Sequence, residues 1–384
     1  MIKTVIILGN HIQSLGVMRS AGKMGLETTL FNKNKLCIAA FSKYCSNFIL
    51  YKNTTDLKEK LLNLYKGIKN AAIIPTNDYL VEFLAENYDA LQRYYYLAIP
   101  ESVIAGICLN KILTYQKAAE FNTPILKFST PDNLTEALNA AEGIGYPVVL
   151  RPAFMHKFFP GTGKKILLCK DKDSLIENYK FMAGKIPAEE VIVQEYVPKK
   201  QRQLFSFCSF FAGGNIYGGF ILHRMRQRPG EFGISTFAKT VNIEEIENLS
   251  IEFLKKINYF GISEIEFIYD EKNKQYSLIE INPRTWKQNS IAEKLNVNLV
   301  KMLIDYFDGK QLSANINRKN DIGWIEPITD FFAMIDGLRK HEFDIKQYIN
   351  SLKVEKEMAV FSMEDPIPGV MYILLLPYLF RERR

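Results

Sequence analysis

The stretch Gly261-Ile-Ser-Glu-Ile-Glu-Phe-Ile-Tyr-Asp-Glu-Lys-Asn-Lys-Gln-Tyr-Ser-Leu-Ile-Glu-Ile-Asn-Pro-Arg284 decides how this chain is read. Two runs rich in Ile, Phe and Tyr flank a polar segment, Asp270–Lys274, with turn chemistry, which predicts a β-hairpin. Side chains alternate along a strand, so Glu264 and Glu266 share one face of the first strand. Leu278, Glu280 and Asn282 share one face of the second, with Ile279 and Ile281 on the other. If Asp270–Lys274 forms the whole loop, Tyr269 lies opposite Gln275 and Glu266 opposite Leu278. Glu280 is then the diagonal neighbour of Glu266, roughly 7–8 Å away at Cα.

Two carboxylates and an amide oxygen on one sheet face repel unless a cation stands among them. Mg²⁺, or Mn²⁺ in its place, suits Glu266, Glu280 and Asn282. Such an ion prefers oxygen ligands, needs only one or two protein carboxylates and fills its shell with water and phosphate. Pro283 ends the strand because it has no N–H for the ladder, and Arg284 follows with a fixed fork of donors. A solvated strand face with scattered glutamates is the plainer reading. The apolar back face of Ile279 and Ile281 speaks for burial instead.

The rest of the chain sets bounds on what this hairpin serves. Its 384 residues suffice for two to three domains. A content of 47% hydrophobic and 24% charged residues is that of a soluble globular protein. The net charge of +7 is spread along the chain, and no basic module interleaved with aromatics is visible, so nucleic acid is not expected as a partner. Five cysteines without CxxC spacing argue against a disulfide framework or zinc site and for a reducing, cytoplasmic setting. Lys3–Leu8 is too short for a signal-peptide core, and no apolar run reaches transmembrane length.

From the N-terminus, Lys3–Leu8, a helical pattern through Leu15, Met18 and Ala21, and Thr28–Phe31 predict a β-α-β unit of a parallel sheet. The full GxGxxG spacing is missing, so a Rossmann-like scaffold without a dinucleotide is expected. The helix start near Asn10 and Gln13 could still receive an anionic group. Ala71–Pro75 reads as a further strand, with Asn77 or Asp78 capping the next helix. After a helix over Lys111–Phe121, Gly145–Pro152 forms a strand carrying Arg151 at its end. Phe158–Lys165 is rich in glycine and basic at its tip, which fits either a cover for phosphates or a hairpin turn. Val191–Pro198 is an apolar strand. Ser206–Phe211 and Ile216–Leu222 form a hairpin around Gly213-Gly-Asn215. In His223–Pro229, Arg224, Arg226 and Arg228 alternate, so a regular strand would aim all three at one face, where anions or carboxylates must meet them. Glu245–Tyr259 reads as an amphipathic helix. Residues 313–321 look linker-like, and Asp330–Leu338 and Phe343–Leu352 look helical. Pro366–Phe380 is apolar and precedes Arg381-Glu-Arg-Arg384. This tail is expected to dock on the body, with an anionic membrane surface as the alternative.

Taken in order, residues 1–310 resemble the ATP-grasp superfamily, above all in Glu266 and Glu280-Ile-Asn-Pro-Arg284. The resemblance implies that Glu266, Glu280 and Asn282 hold Mg²⁺ on the phosphates of ATP. It places Lys111 and Arg151 at basic positions that contact those phosphates. Gly161, Gly163, Lys164 and Lys165 match the mobile covering loop. Gln194, Glu195, Tyr196 and Val197 match the hinge, where Glu195 and Val197 meet adenine through the backbone. Arg151 stands where Lys is commoner, and Lys199–Gln203 lacks the acidic residue that relatives place near the ribose. His11–Arg19 with Ser42-Lys-Tyr44 is similar to the leading domain of carbamoyl-phosphate-synthase-like and D-aspartate-ligase-like carboxylate–amine ligases.

The implied fold class is α/β and α+β. Residues 1–108 form a Rossmann-like leading domain and 109–310 an ATP-grasp domain, with a small lid over 123–193 and a larger subdomain over 194–310. Residues 311–384 form a C-terminal helical extension. The implied activity joins a small carboxylate to an amine through an acylphosphate. Arg284 and Arg226 would stabilise the transferring group, and Arg224 and Arg228 would hold the acid. A catalytically inactive ATP-binding scaffold in cell-envelope or polysaccharide assembly is the rival reading, and the sequence leaves a homodimer open. The broken glycine fingerprint argues against an NAD-dependent oxidoreductase.

Overall fold

The computed structural model describes residues 1–64 and 69–382, with side chains through residue 379. The chain divides into two compact units. One comprises Met1–Ala105, Ser206–Glu264 and Asn282–Arg384. The other comprises Gly106–Phe205 and Ile265–Ile281.

In the first unit, five parallel strands run in the order Asn47–Leu50, Glu27–Asn32, Thr4–Leu8, Ala71–Pro75 and Tyr96–Leu97. Thr4 pairs with Glu27 on one side and with Ala71 on the other. Val5, Ile7, Leu30 and Ile74 are buried, as a parallel sheet covered on both faces requires. The first strand turns into the helix His11–Lys23 at Gly9, whose φ is +119°. A Cβ there would stand 2.2 Å from the Thr76 hydroxyl oxygen, so only glycine fits. Asn10 caps the helix, its side-chain oxygen accepting from the His11 amide at 2.6 Å.

A larger sheet follows the order Gln275–Asn282, Gly261–Asp270, Arg202–Ala212, Asn215–Arg228, Ile234–Val241, Gly323–Ile325 and Lys356–Met358. The division between the units cuts its first three strands. The turn of the Arg202–Ala212/Asn215–Arg228 hairpin has positive φ at both Gly213 (+55°) and Gly214 (+77°), the geometry a tight two-residue connection favours.

The C-terminal residues are helical over Pro327–Arg339, Ile345–Ser351, Ile367–Leu374 and Leu376–Glu382. They also contribute strands, because the segment read as a linker contains Asn315–Ile316, which pairs with Gly218 and Gly219. The tail docks by one face, burying Tyr372, Leu375 and Leu379. Asp365 anchors it. That carboxylate accepts from Arg19 Nε at 2.9 Å, from the Ser42 hydroxyl at 2.8 Å and from the Lys43 amide at 2.9 Å. Arg383 and Arg384 lie outside the described residues.

Beside this anchor, Glu357 is pushed up to about 7. Burial is the main cause and Glu293 adds to it, against the opposing pull of Lys294, Arg19 and Lys23. A carboxyl raised in the folded state stabilises fully below its unfolded value. That stability is lost as pH rises through about 7. Glu357→Gln is therefore expected to stabilise the protein at pH 8, by roughly 1–3 kcal/mol, and to have little effect at pH 4. Denaturation midpoints at the two pH values check this, and equal effects at both would refute it.

In the second unit, four antiparallel strands run in the order Phe128–Ser129, Val191–Glu195, Val148–Pro152 and Leu167–Cys169. The helices Leu134–Ile144 and Lys172–Ala183 bury Ala137, Ala141, Leu175 and Met182 in one core with Val148, Leu150 and Val193. Asp171 caps the second helix in a reciprocal box with Ser174.

Candidate active site

The helix Lys111–Glu120 begins at Asn110, whose side-chain oxygen accepts from the Ile112 amide at 2.9 Å. Lys111 thus stands in the first turn, where the helix dipole disfavours a cation. Glu280 offsets this: Lys111 Nζ lies 2.7 Å from its Oε2, and both side chains are largely shielded from solvent. Arg151 comes from the end of Val148–Pro152 and places Nη2 3.4 Å from the same oxygen. Its Nη1 donates to the Tyr115 hydroxyl at 2.9 Å and to Gln194 Oε1 at 3.0 Å. Tyr115 in turn donates to the Ile279 carbonyl at 2.8 Å, tying the helix to the glutamate's own strand.

Burial alone would raise Glu280. The Lys111 ammonium, the Arg151 guanidinium and more distantly Lys165 outweigh it and hold this carboxyl well below the usual carboxylate range. One ionised carboxylate therefore faces several cations. Arg151 Nε and Gln194 Nε2 are buried donors with no partner. Buried donors are almost always satisfied, so this pair suits an acceptor from outside the chain.

Glu266 is partly buried on Gly261–Asp270. Asn282 and Arg284 belong to the first unit. There Asn282 Nδ2 donates to Glu264 at 3.1 Å, and Arg284 Nη2 donates to Asn282 Oδ1 at 3.0 Å. Arg284 Nε is held by Asp78 at 2.6 Å and its Nη1 donates to the Thr285 carbonyl at 3.0 Å. Among the described residues, no three His, Cys, Asp or Glu side chains group closely enough to hold a metal ion. Glu266 and Glu280, both in the second unit, offer the all-oxygen carboxylate donors that Mg²⁺ takes.

At the hinge, Gln194 is buried and the Glu195 amide donates to the Lys127 carbonyl at 2.9 Å. The Val197 carbonyl accepts from Arg202 Nη1 at 2.9 Å, and the same guanidinium lies over the Tyr196 ring. Lys199–Gln203 carries no acidic residue; Gln203 Nε2 donates to Glu271 of the hairpin turn at 3.1 Å.

Two expectations change. The glycine-rich segment is helical in its first part, and only residues 163–166 form a loop. Met155–Thr162 is helical and includes Gly161, and Gly163 closes the helix in the left-handed region, with φ +65°. Lys164 lies over the Phe181 ring at 4.5 Å and Lys165 over the Phe159 ring at 5.8 Å. The arginine row also fails to form a regular face, because the strand is irregular between Arg224 and Arg226 and again between Arg226 and Gln227. Arg224 pairs opposite Ala238. Arg226 grips Asp330 through Nε at 2.9 Å and Nη2 at 2.8 Å, and its Nη1 donates to Ser351 at 2.6 Å. Arg228 donates to Asp336 at 3.1 Å.

Sequence reasoning missed Tyr115 and Asp78 as site residues. Tyr115 was signalled only by its place four residues after Lys111 on a helix. The sequence offers Asn77 or Asp78 as a helix cap; Asn77 takes that role, and the contact of Asp78 with Arg284 joins positions far apart in sequence.

Residues 110–203 and 231–315 match the family described as "Carbamoyl-phosphate synthase L chain, ATP binding domain". The gap in that match contains Arg224, Arg226 and Arg228. Biotin carboxylase 1 of Bacillus subtilis (strain 168) is 23% identical over 343 residues, 84% of this chain and 74% of that protein. The solved complex of Campylobacter jejuni biotin carboxylase with β,γ-ATP superposes with a TM-score of 0.67 at 18% identity, covering 82% of this chain and 72% of that one. N5-carboxyaminoimidazole synthetase of Staphylococcus aureus in complex with ADP gives a TM-score of 0.65 at 17% identity, covering 81% and 79%. At these identities the structural likeness establishes the fold. No helix among the described residues is long and apolar enough to cross a membrane.

Proposed function

We propose that the chain is an ATP-grasp ligase that joins a small carboxylate to an amine at the expense of ATP, through an acylphosphate, a reading supported by the family match and by the biotin carboxylase relative. The observation that carries this reading is the cluster of Lys111, Arg151 and Gln194 on Glu280, with Arg151 Nε and Gln194 Nε2 left without partners. Lys111 and Arg151 would bind the phosphates, and Lys165 with its neighbours Gly161, Gly163 and Lys164 would close over them. Glu195, Tyr196 and Val197 would flank the adenine. Glu266, Glu280 and Asn282 would hold Mg²⁺, which neutralises phosphate charge and fixes its geometry when bound.

In the first step a carboxylate oxygen of the acid attacks the γ-phosphorus and the bond to ADP breaks. In the second, the amine nitrogen attacks the acyl carbon, phosphate leaves and the nitrogen loses a proton. Arg284 would stabilise charge on the transferring group. The chain supplies position and charge rather than a nucleophile, as phosphoryl transfer requires.

A screen of ADP release over amino acids and small dicarboxylates, with ATP binding measured by calorimetry with and without Mg²⁺, tests this. Turnover with one acid–amine pair supports it. Tight, metal-dependent binding without turnover favours an inactive scaffold, and no nucleotide binding would refute both.

Asp78 is a positioning residue in this scheme, because it fixes the Arg284 guanidinium that holds Asn282. Asp78→Asn is expected to lower kcat roughly tenfold to a hundredfold while leaving the KM for ATP near its original value. Steady-state kinetics decides, and an unchanged kcat would remove Asp78 from the mechanism.

A further inference from the structure

The docked tail presents a second apolar face. Met363, Ile367, Val370, Ile373 and Leu374 are 98%, 54%, 56%, 52% and 65% exposed. Ile367, Val370, Ile373 and Leu374 recur at helical spacing along one side of Ile367–Leu374, opposite the buried Tyr372. A helix docked on a body and facing water carries polar residues on its outer side, yet no charged side chain occurs from Ile367 through Phe380. The Asp365 contacts with Arg19, Ser42 and Lys43 fix the start of this segment, so the apolar stripe is held outward.

We propose that this face docks on the surface of an anionic lipid bilayer. Two observations choose that occupant. In sequence the apolar stretch is followed by Arg381-Glu-Arg-Arg384, three cations against one anion, which complements anionic headgroups. These five side chains, four of them half- to two-thirds exposed and Met363 almost fully so, also offer only a few hundred Å², on the order of half of the ~800 Å² per partner that a stable protein interface buries. A lipid surface has no such area requirement, since apolar side chains insert one by one.

Flotation of the full chain with phosphatidylglycerol-containing and pure phosphatidylcholine vesicles tests this. Recovery is expected with the anionic vesicles, falling at high salt. It should drop at least tenfold in Ile367→Ser/Val370→Ser/Ile373→Ser and severalfold in Arg381→Gln/Arg383→Gln/Arg384→Gln. Retained calorimetric ATP binding would show that these variants fold. No flotation on either vesicle would overturn the proposal, as would equal flotation of wild type and serine variant. A dimer in light scattering that the serine variant dissolves, without any vesicle binding, would assign the face to a second copy of the chain.

Discussion

Glu280→Gln is expected to abolish Mg²⁺-dependent tightening of ATP binding and to lower turnover by on the order of a hundredfold to a thousandfold. Lys111 and Arg151 converge on one oxygen of this side chain, so a neutral amide leaves two cations facing each other without their counter-ion. Phosphate oxygens can replace that charge, and metal-free nucleotide binding should be retained or become tighter. The metal-dependent part should be lost, because an amide is a poorer ligand for a hard cation. Calorimetry at matched ionic strength separates the two. If Glu280 were only a structural counter-ion, the variant would lose stability and keep its response to Mg²⁺. The same charges set a pH dependence. A carboxyl held low in the folded state contributes stability above its unfolded value, and that stability is lost as pH falls through the folded one. The wild type should lose it at acid pH, and Glu280→Gln should show no such loss from this group.

Individual parts of this candidate site were legible because each carries a local sequence signal. Alternation along Gln275–Asn282 and the proline stop marked Glu280, Asn282 and Arg284, and Asn110 marked the helix that starts with Lys111. The parallel N-terminal sheet was legible for a similar reason, since its fully buried strands read as continuous apolar runs. Other features depend on distant or irregular geometry. The bulges at Arg224, Arg226 and Gln227 carry no turn residue, so the period-two rule gave three aligned guanidiniums where the strand provides none. Asn315–Ile316 and Gly323–Ile325 are too short for any period to register. Gly161 and Gly163 look like a flexible loop by composition, whereas Gly163 serves as the left-handed residue that ends a helix. Glu271 reaches Gln203 across 68 positions, and no local pattern announces such a contact.

Asp330→Ala is expected to give the largest loss of stability, about 3–5 kcal/mol, because it strands a buried guanidinium. Asp330 has no solvent exposure. Besides both bonds from Arg226, its carboxylate accepts from the Thr236 hydroxyl at 2.8 Å and the Tyr348 hydroxyl at 3.1 Å. Arg226 is packed against the Phe237 and Tyr348 rings, 4.3 and 4.7 Å from their centroids. Truncating the acid leaves that cation without water or counter-ion. Removing both partners, as in Asp330→Ala/Arg226→Met, should recover part of the loss, since apolar replacement of a buried pair is often neutral. Denaturant unfolding read by tryptophan fluorescence suits the test. Trp286 and Trp324 are the chain's two tryptophans, both buried in the same unit as this pair. The measurement also separates two roles for Arg226. An arginine that held substrate would raise KM on truncation at unchanged stability. One committed to Asp330 and Ser351 should lower the unfolding midpoint and leave KM in the surviving folded protein nearly unaltered.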